Sequence, residues 1–340
     1  MAVSGAGVTT TGEMKLAAQV AEPGRFWIRY VPRSWDPPDR PWVNLAAGTL
    51  GEVAGSPVAG PLQMSAAPRD DVLYLPPVPP ARGAARDELA GSLLVGGTPV
   101  LIQLFPGEMT TVSPGAGAAF VFDLLEALLA RDLEPLRGLP SEANAVWPLV
   151  PGLTDDPALW EQGCRELAAA KVRCVQALTP ALSPADRRRL AERWGSEDAF
   201  DVLFHRAPPC ERDFARVAHR YGLEPFISRP LPAQPVQGLG NRRIGAALTL
   251  AGEVWLRLGR PVETGQALYR DARWIERSSH DLETLAREGN LGVLPIAPTS
   301  RDVAAECAAT GESATLARLL AEYLAPEAGG VDEERRIGDD

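Results

Sequence analysis

Between about residue 72 and residue 229 the chain alternates short apolar runs with amphipathic stretches, and this alternation restricts the fold more than any other feature. VLYLPP (72–77) reads as a short buried strand stopped by proline, and ARDELAGSLLVGG (85–97) as a helix ended by glycine. PVLIQLF (99–105) has strand length, AFVFDLLEALLARD (119–132) reads as a helix, and AVWPLV (145–150) as a strand. ALWEQGCRELAAAK (158–171) places Trp160, Cys164 and Leu167 on one helical face. VRCVQAL (172–178) is a strand, and SPADRRRLAERWG (183–195) a helix with Ser183 as cap and Pro184 in its first turn. FDVLFH (200–205), CERDFARVAHRYG (210–222) and LEPFISR (223–229) complete the series as strand, helix, strand. The strands are apolar throughout, as expected when both faces of a parallel sheet are covered. A partial (β/α) TIM-type barrel and an open doubly wound sheet both satisfy the pattern.

A Pro/Gly linker, PLPAQPVQGLGN (230–241), marks the clearest boundary. Beyond it the chain is helical. NRRIGAALTLAGEVWLRLG carries Ile244, Leu248, Ala251, Trp255 and Leu258 on one stripe, and ETGQALYRDARWIERSS forms a second helix. DLETLAREG, RDVAAECAATG and SATLARLLAEYL follow as three more. The expected organisation is an N-terminal extension (1–42), an α/β unit (43–232), an all-α unit (241–326) and a charged, disordered tail (327–340).

With 45% hydrophobic and 23% charged residues the chain has the balance of a globular protein. Its net charge of -10 argues against a surface that tracks nucleic acid all round, and leaves room for a local basic face. No apolar run has membrane length and no secretory signal is visible. Four scattered cysteines fit a reducing cytoplasm. No GxxxxGK[ST], GxSxG or HExxH occurs, which removes the common phosphate-loop and hydrolase classes. His205, Cys210 and His219 lack the paired spacing of a zinc site, so no metal is expected there.

WPLVPGLTDDPALWEQGCRELAAAKVRCVQ (147–176) resembles the late strand–helix unit of radical S-adenosylmethionine (radical SAM) enzymes, and more narrowly the spore photoproduct lyase group, where a PxIPGxxD run follows a barrel strand. ARVAHRYGL (215–223) is similar to a helix that follows the final units of that group. The group's cluster loop reads approximately VNPYxGCxxxCxYCYA. Laid onto VNLAAGTLGEVAGSPVAG (43–60), Val43, Asn44 and Gly48 match, and the three cluster cysteines fall on Thr49, Val53 and Ser56. A [4Fe–4S] cluster of this type is held by thiolates, and hydroxyls are poor ligands for it. The resemblance therefore implies a barrel that has lost its iron–sulfur cofactor and cannot cleave S-adenosylmethionine by the family's mechanism.

Residues 241–325 resemble the N-terminal helical domain of family X DNA polymerases. That domain has an Asn-initiated helix, an AYRxAAR helix, DLxxLxxEGxLxxLPGIG and a helix closing on TG. Here the pieces are Asn241, ALYRDARWIE (267–276), DLETLAREGNLGVLP (281–295) and Thr310-Gly311. The resemblance implies a helix-hairpin-helix-like unit that grips DNA near a 5′-phosphate or gap. Its lyase reaction needs a lysine amine, and the only lysines are Lys15 and Lys171, so that activity is not expected. The LPGIG turn reads LPIAPTS (294–300), without the glycines that bring backbone N–H groups to a phosphate.

Arg270, Arg273 and Arg277 share one helix face, Trp274 borders them, and Leu268, Ala272 and Ile275 face the other way. With Arg242 and Arg243 they form the candidate DNA contacts, since guanidinium plus an aromatic can hold a phosphate backbone and a stacked base. The competing reading is a solvated helix with ion pairs to Asp271 and Glu276. In a barrel, Gln103, Glu108, Asp155, Gln176, His205 and Arg229 would stand at or just past strand C-termini and could line a ligand pocket. Asp155 and Asp156 equally suit the N-terminus of the following helix. The reading is a non-catalytic, cytoplasmic, DNA-repair-associated binding protein whose partners are DNA or an active radical or repair enzyme. Its rivals are a cluster-independent enzyme acting on a nucleotide or S-adenosylmethionine at the barrel mouth, and a protein-binding adaptor.

Overall fold

The fold is given by a computed structural model that describes residues 73–75, 83–97, 99–113, 117–180, 184–194, 210–228, 230–231 and 239–326. The first unit is α/β. Strands β1 (Leu73–Leu75), β2 (Val100–Leu104), β3 (Ala118–Asp123), β4 (Asn144–Pro148) and β5 (Cys174–Leu178) form one sheet, all parallel and in chain order. Among the described residues the strand order never reverses. Helices α1 (Gly83–Val95), α2 (Leu125–Ala130), α3 (Glu134–Arg137), α4 (Pro157–Ala169), α5 (Pro184–Trp194) and α6 (Glu211–Arg220) connect or follow the strands.

The expected helix over 119–132 is corrected. Its first half, AAFVFD, is β3, and only Leu125–Ala130 is helical. The aromatic and β-branched residues there fit a strand wedged between neighbours, and Asp123 ends it by accepting a hydrogen bond from the Leu125 N–H (2.9 Å). The expected strand 223–229 reduces to a single parallel bridge, Glu224 beside Cys174. The expected strand 200–205 and the Ser183 cap lie outside the described residues.

Period-two alternation divides the sheet's side chains between two cores. Val100, Ile102, Leu104, Phe120, Phe122, Ala145, Trp147 and Val175 pack with α1, α4 and α6. Trp147 stacks at a tilt on Phe214 (centroids 4.9 Å), and a methyl at Gly163 would fall 2.5 Å from its indole. α4 is capped by Asp156, which accepts from Ala158 N–H, with Pro157 in its first turn. Leu101, Val121, Val146, Cys174 and Leu178 form a second core on the opposite face, with Leu190 and Ile227.

The second unit is all-α: α7 (Leu239–Arg257), α8 (Val262–Arg277), α9 (Leu282–Arg287), a 3₁₀ turn (Leu291–Val293), α10 (Pro298–Thr310) and α11 (Ala314–Leu324). Ile244, Leu248, Ala251, Leu268, Ala272 and Ile275 of the predicted stripes make its core with Val303, while Trp255 and Leu258 pack against it half-buried. The two units meet through α6. Glu211 accepts from Thr179, at the end of β5, through N–H and Oγ1 (both 3.2 Å), and also from Arg257 of α7. Arg257 is braced by Glu253 (2.8 and 3.0 Å), and Arg212 donates to the Tyr323 carbonyl (2.9 Å). No helix among the described residues is long and apolar enough to cross a membrane.

Candidate nucleic-acid interface

The predicted basic face is built on α8. Leu268, Ala272 and Ile275 are buried, and at 3.6 residues per turn this leaves Arg270, Arg273 and Arg277 on the outer side. Together with Trp274 and the loop Ser278–Ser279–His280 they line a surface cleft of about 590 Å³. The Arg270 side chain is 70% exposed, and Arg277 is exposed. Arg242 is half-buried and Arg243 exposed on α7, and neither is among the cleft walls.

The loop that closes the cleft is held from behind by a residue the sequence reading used only as a helix start. Asn241 lies inside α7, not at its cap, and is buried. Its Nδ2 donates to the carbonyls of Ser278 (3.3 Å) and His280 (2.8 Å), and its Oδ1 accepts from Leu282 N–H (3.1 Å). These bonds fix the backbone from which Ser279 and His280 face the arginines. The loop and His280 were missed because no spacing in the sequence connects residue 241 to residue 280.

Of the ion pairs set against the DNA reading, the one to Asp271 is present. Arg270 Nε donates to Asp271 Oδ1 at 3.2 Å. Asp271 is itself buried, and its other oxygen accepts from Ala297 N–H and Ser300 Oγ (2.7 Å each). This carboxylate thus occupies the first turn of α10, where a phosphate would approach an open helix N-terminus. The LPIAPTS turn is internally filled.

The remaining predicted positions divide. Gln103 and Gln176 are fully buried on the sheet face away from α1 and α4. Gln103 Nε2 reaches Asp123 Oδ2 (3.4 Å), and Gln176 Oε1 accepts from Ile227 N–H (3.1 Å), which leaves Gln176 Nε2 with no partner among the described residues. Asp123 and Gln176 flank Val146 in one row of the sheet. Glu108 and Asp155 are engaged within their own loops, Glu108 accepting from the Phe105 N–H (3.0 Å). Asp155 accepts from Gly152 N–H (2.7 Å) in the loop before α4. Glu108 pairs with Arg86, a fully buried arginine of α1 whose Nε and Nη2 bind Asp87 Oδ1 (3.1 and 2.9 Å). Burial raises the Asp87 carboxyl, but the Thr111 N–H and Arg86 outweigh it and hold it below the usual aspartate range. This cluster joins α1 to the β2–β3 loop. Thr49, Val53, Ser56, His205 and Arg229 lie outside the described residues.

The described thiols are poor nucleophiles and soft-metal ligands as they stand. Burial pushes Cys164 up to about 12 and Cys307 to about 11, and Cys174 well above its ordinary value. Among the described residues no group of three His, Cys, Asp or Glu could hold a metal ion. Comparison with protein-family models, curated proteins and solved structures returned no match.

Proposed function

We propose that the chain is a non-catalytic nucleic-acid-binding protein of DNA repair, in which a radical-enzyme-like (β/α) barrel without its cluster is joined to a polymerase-X-like helical unit that holds DNA. The observation that carries this is the cleft: Arg270, Arg273, Trp274 and Arg277, singled out from spacing alone, line it together with His280. Guanidinium groups bind phosphate oxygens and the indole offers a face to a base. The chain-order parallel sheet supports the barrel half of the reading, because sequential strands are what a (β/α) barrel has.

The test is DNA binding by the full chain over a salt series, with wild type and the triple variant R270E/R273E/R277E. The expected result is at least about a tenfold loss of affinity and a salt slope shallower by about three, one per phosphate contact. Binding insensitive to both salt and these substitutions overturns the reading and favours a protein-binding adaptor. A second reading, ligand chemistry on the barrel face, is favoured by the Nε2 of Gln176, which has no partner among the described residues and stands across Val146 from Asp123.

A further inference from the structure

The cleft on α8 is basic, and an acidic stretch of the chain begins just beyond α11. Residues 327–340 (EAGGVDEERRIGDD), which lie outside the described residues, hold six acidic side chains against two arginines, a net of -4. Asp332, Glu333 and Glu334 are consecutive. We infer that this segment occupies the arginine cleft in cis and competes there with nucleic acid. The inference rests on the reading of the cleft as a nucleic-acid site and gives that site its regulation.

The fold brings the start of the segment to the foot of the cleft helix. Arg212 of α6 holds the last turn of α11 by donating to the carbonyls of Glu322 (3.1 Å) and Tyr323 (2.9 Å). The Glu322 carboxylate pairs with Arg260, two residues before α8 begins. The chain therefore leaves α11 beside the start of α8. At 1.5 Å per residue the cleft arginines stand about 12–22 Å further along that helix. Asp332 is eight residues past Leu324, the end of α11. An extended chain covers about 26 Å in that length and about 33 Å by Glu334, which leaves slack to round the helix to its outer side. Once there, Asp332–Glu334 span about 7 Å when extended. This lies within the roughly 10 Å of helix axis between Arg270 and Arg277.

Charge and tethering favour this occupant. The described walls of the cleft carry three guanidinium groups and no carboxylate. Asp271, the acid paired with Arg270, is buried and shared with Ala297 and Ser300. Carboxylates and phosphodiesters both match the guanidinium fork, so the two ligands exclude each other. A segment tethered this close faces the cleft at an effective concentration of about 1 mM. A contact with a dissociation constant of about 0.1 mM then weakens DNA binding about tenfold.

The test uses the full chain in about 0.15 M salt, where a Debye length of about 8 Å screens most of the general effect of net charge. A fluorescein-labelled peptide of residues 327–340 is titrated by anisotropy, with no DNA present, into three proteins. These are wild type, the acid-neutralised D332N/E333Q/E334Q/D339N/D340N, and that variant carrying R270E/R273E/R277E as well. We expect saturable binding to the acid-neutralised chain at about 0.1 mM, and binding about tenfold weaker to wild type, whose own segment fills the cleft. Reversing the arginines should abolish it. DNA affinity, measured in parallel, should rise about tenfold on neutralising the segment. That gain is a signal that loss of folding cannot imitate. A peptide that fails to saturate, binds wild type and the neutralised chain alike, or ignores the arginine reversal overturns the proposal. DNA binding without peptide binding removes the segment and keeps the cleft as a DNA site, whereas peptide binding without DNA binding keeps the segment in the cleft and removes the DNA reading.

Discussion

Arginine does opposite work in the two halves of this molecule. Arg86 is wholly buried under α1, with Asp87 and Glu108 on its guanidinium and the Met109 carbonyl close by. On α8, Arg270 is 70% exposed, Arg277 is open to solvent, and Asp271, the acid paired with Arg270, is already engaged by Ala297 and Ser300. The lesson is that compensation, more than arginine content, separates a cation that holds a fold from one offered to a ligand. A desolvated guanidinium must be matched by carboxylates, whereas a solvated one needs none.

The contrast breaks most visibly at Arg86. Arg86→Met strands two carboxylates, and about 3–5 kcal/mol of stability should be lost in urea unfolding. A loss below about 1 kcal/mol would place Arg86 among the ordinary surface arginines. Next is Asp271→Ala, which frees the Ala297 N–H and the Ser300 hydroxyl. It should cost about 1–3 kcal/mol and loosen α10, read as faster amide exchange at Ala297–Arg301. Asn241→Ala should cost about as much while lowering DNA affinity, because the loop behind the cleft loses its three hydrogen bonds.

The comparison also has a pH arm. The Asp87 carboxyl sits below its unfolded value of 3.8, so its contribution is complete above that value and is lost as pH falls through the folded one. Urea midpoints measured from pH 7 down to pH 3 should drop below about pH 4, and Asp87→Asn should flatten that drop. R270E/R273E/R277E, by contrast, should leave the pH 7 unfolding free energy within about 0.5 kcal/mol of wild type. The smallest effect concerns thiols. Cys210 is exposed while Cys164, Cys174 and Cys307 are buried, so a maleimide should label Cys210 first among these four. Its raised pKa, caused by burial and by Asp213 and Asp155, makes even that reaction slow at pH 7.

Much of the fold was legible because burial imposes a period. The stripes of α7 and α8 and the runs of β2, β4 and β5 appear where the pattern places them. β3 was not, since AAFVFD runs without punctuation into a helical stretch and its strand character depends on β2 and β4 beside it. The cleft arginines could be read from helical spacing. Asn241, His280 and the Arg86 cluster could not, because their partners lie 22–41 residues away in sequence.

Local chemistry in the chain therefore settled where helices and apolar strands form, which face of α8 is basic, and the lack of any lysine in the helical unit. The assembled molecule settled which charges are cancelled. Asp271 turns inward to fill the start of α10, and Glu108, held at the end of β2 by the Phe105 N–H, is spent on Arg86. Periodicity is a property of neighbours along the chain, but neutralisation of a charge depends on whatever the fold brings within a few ångströms of it.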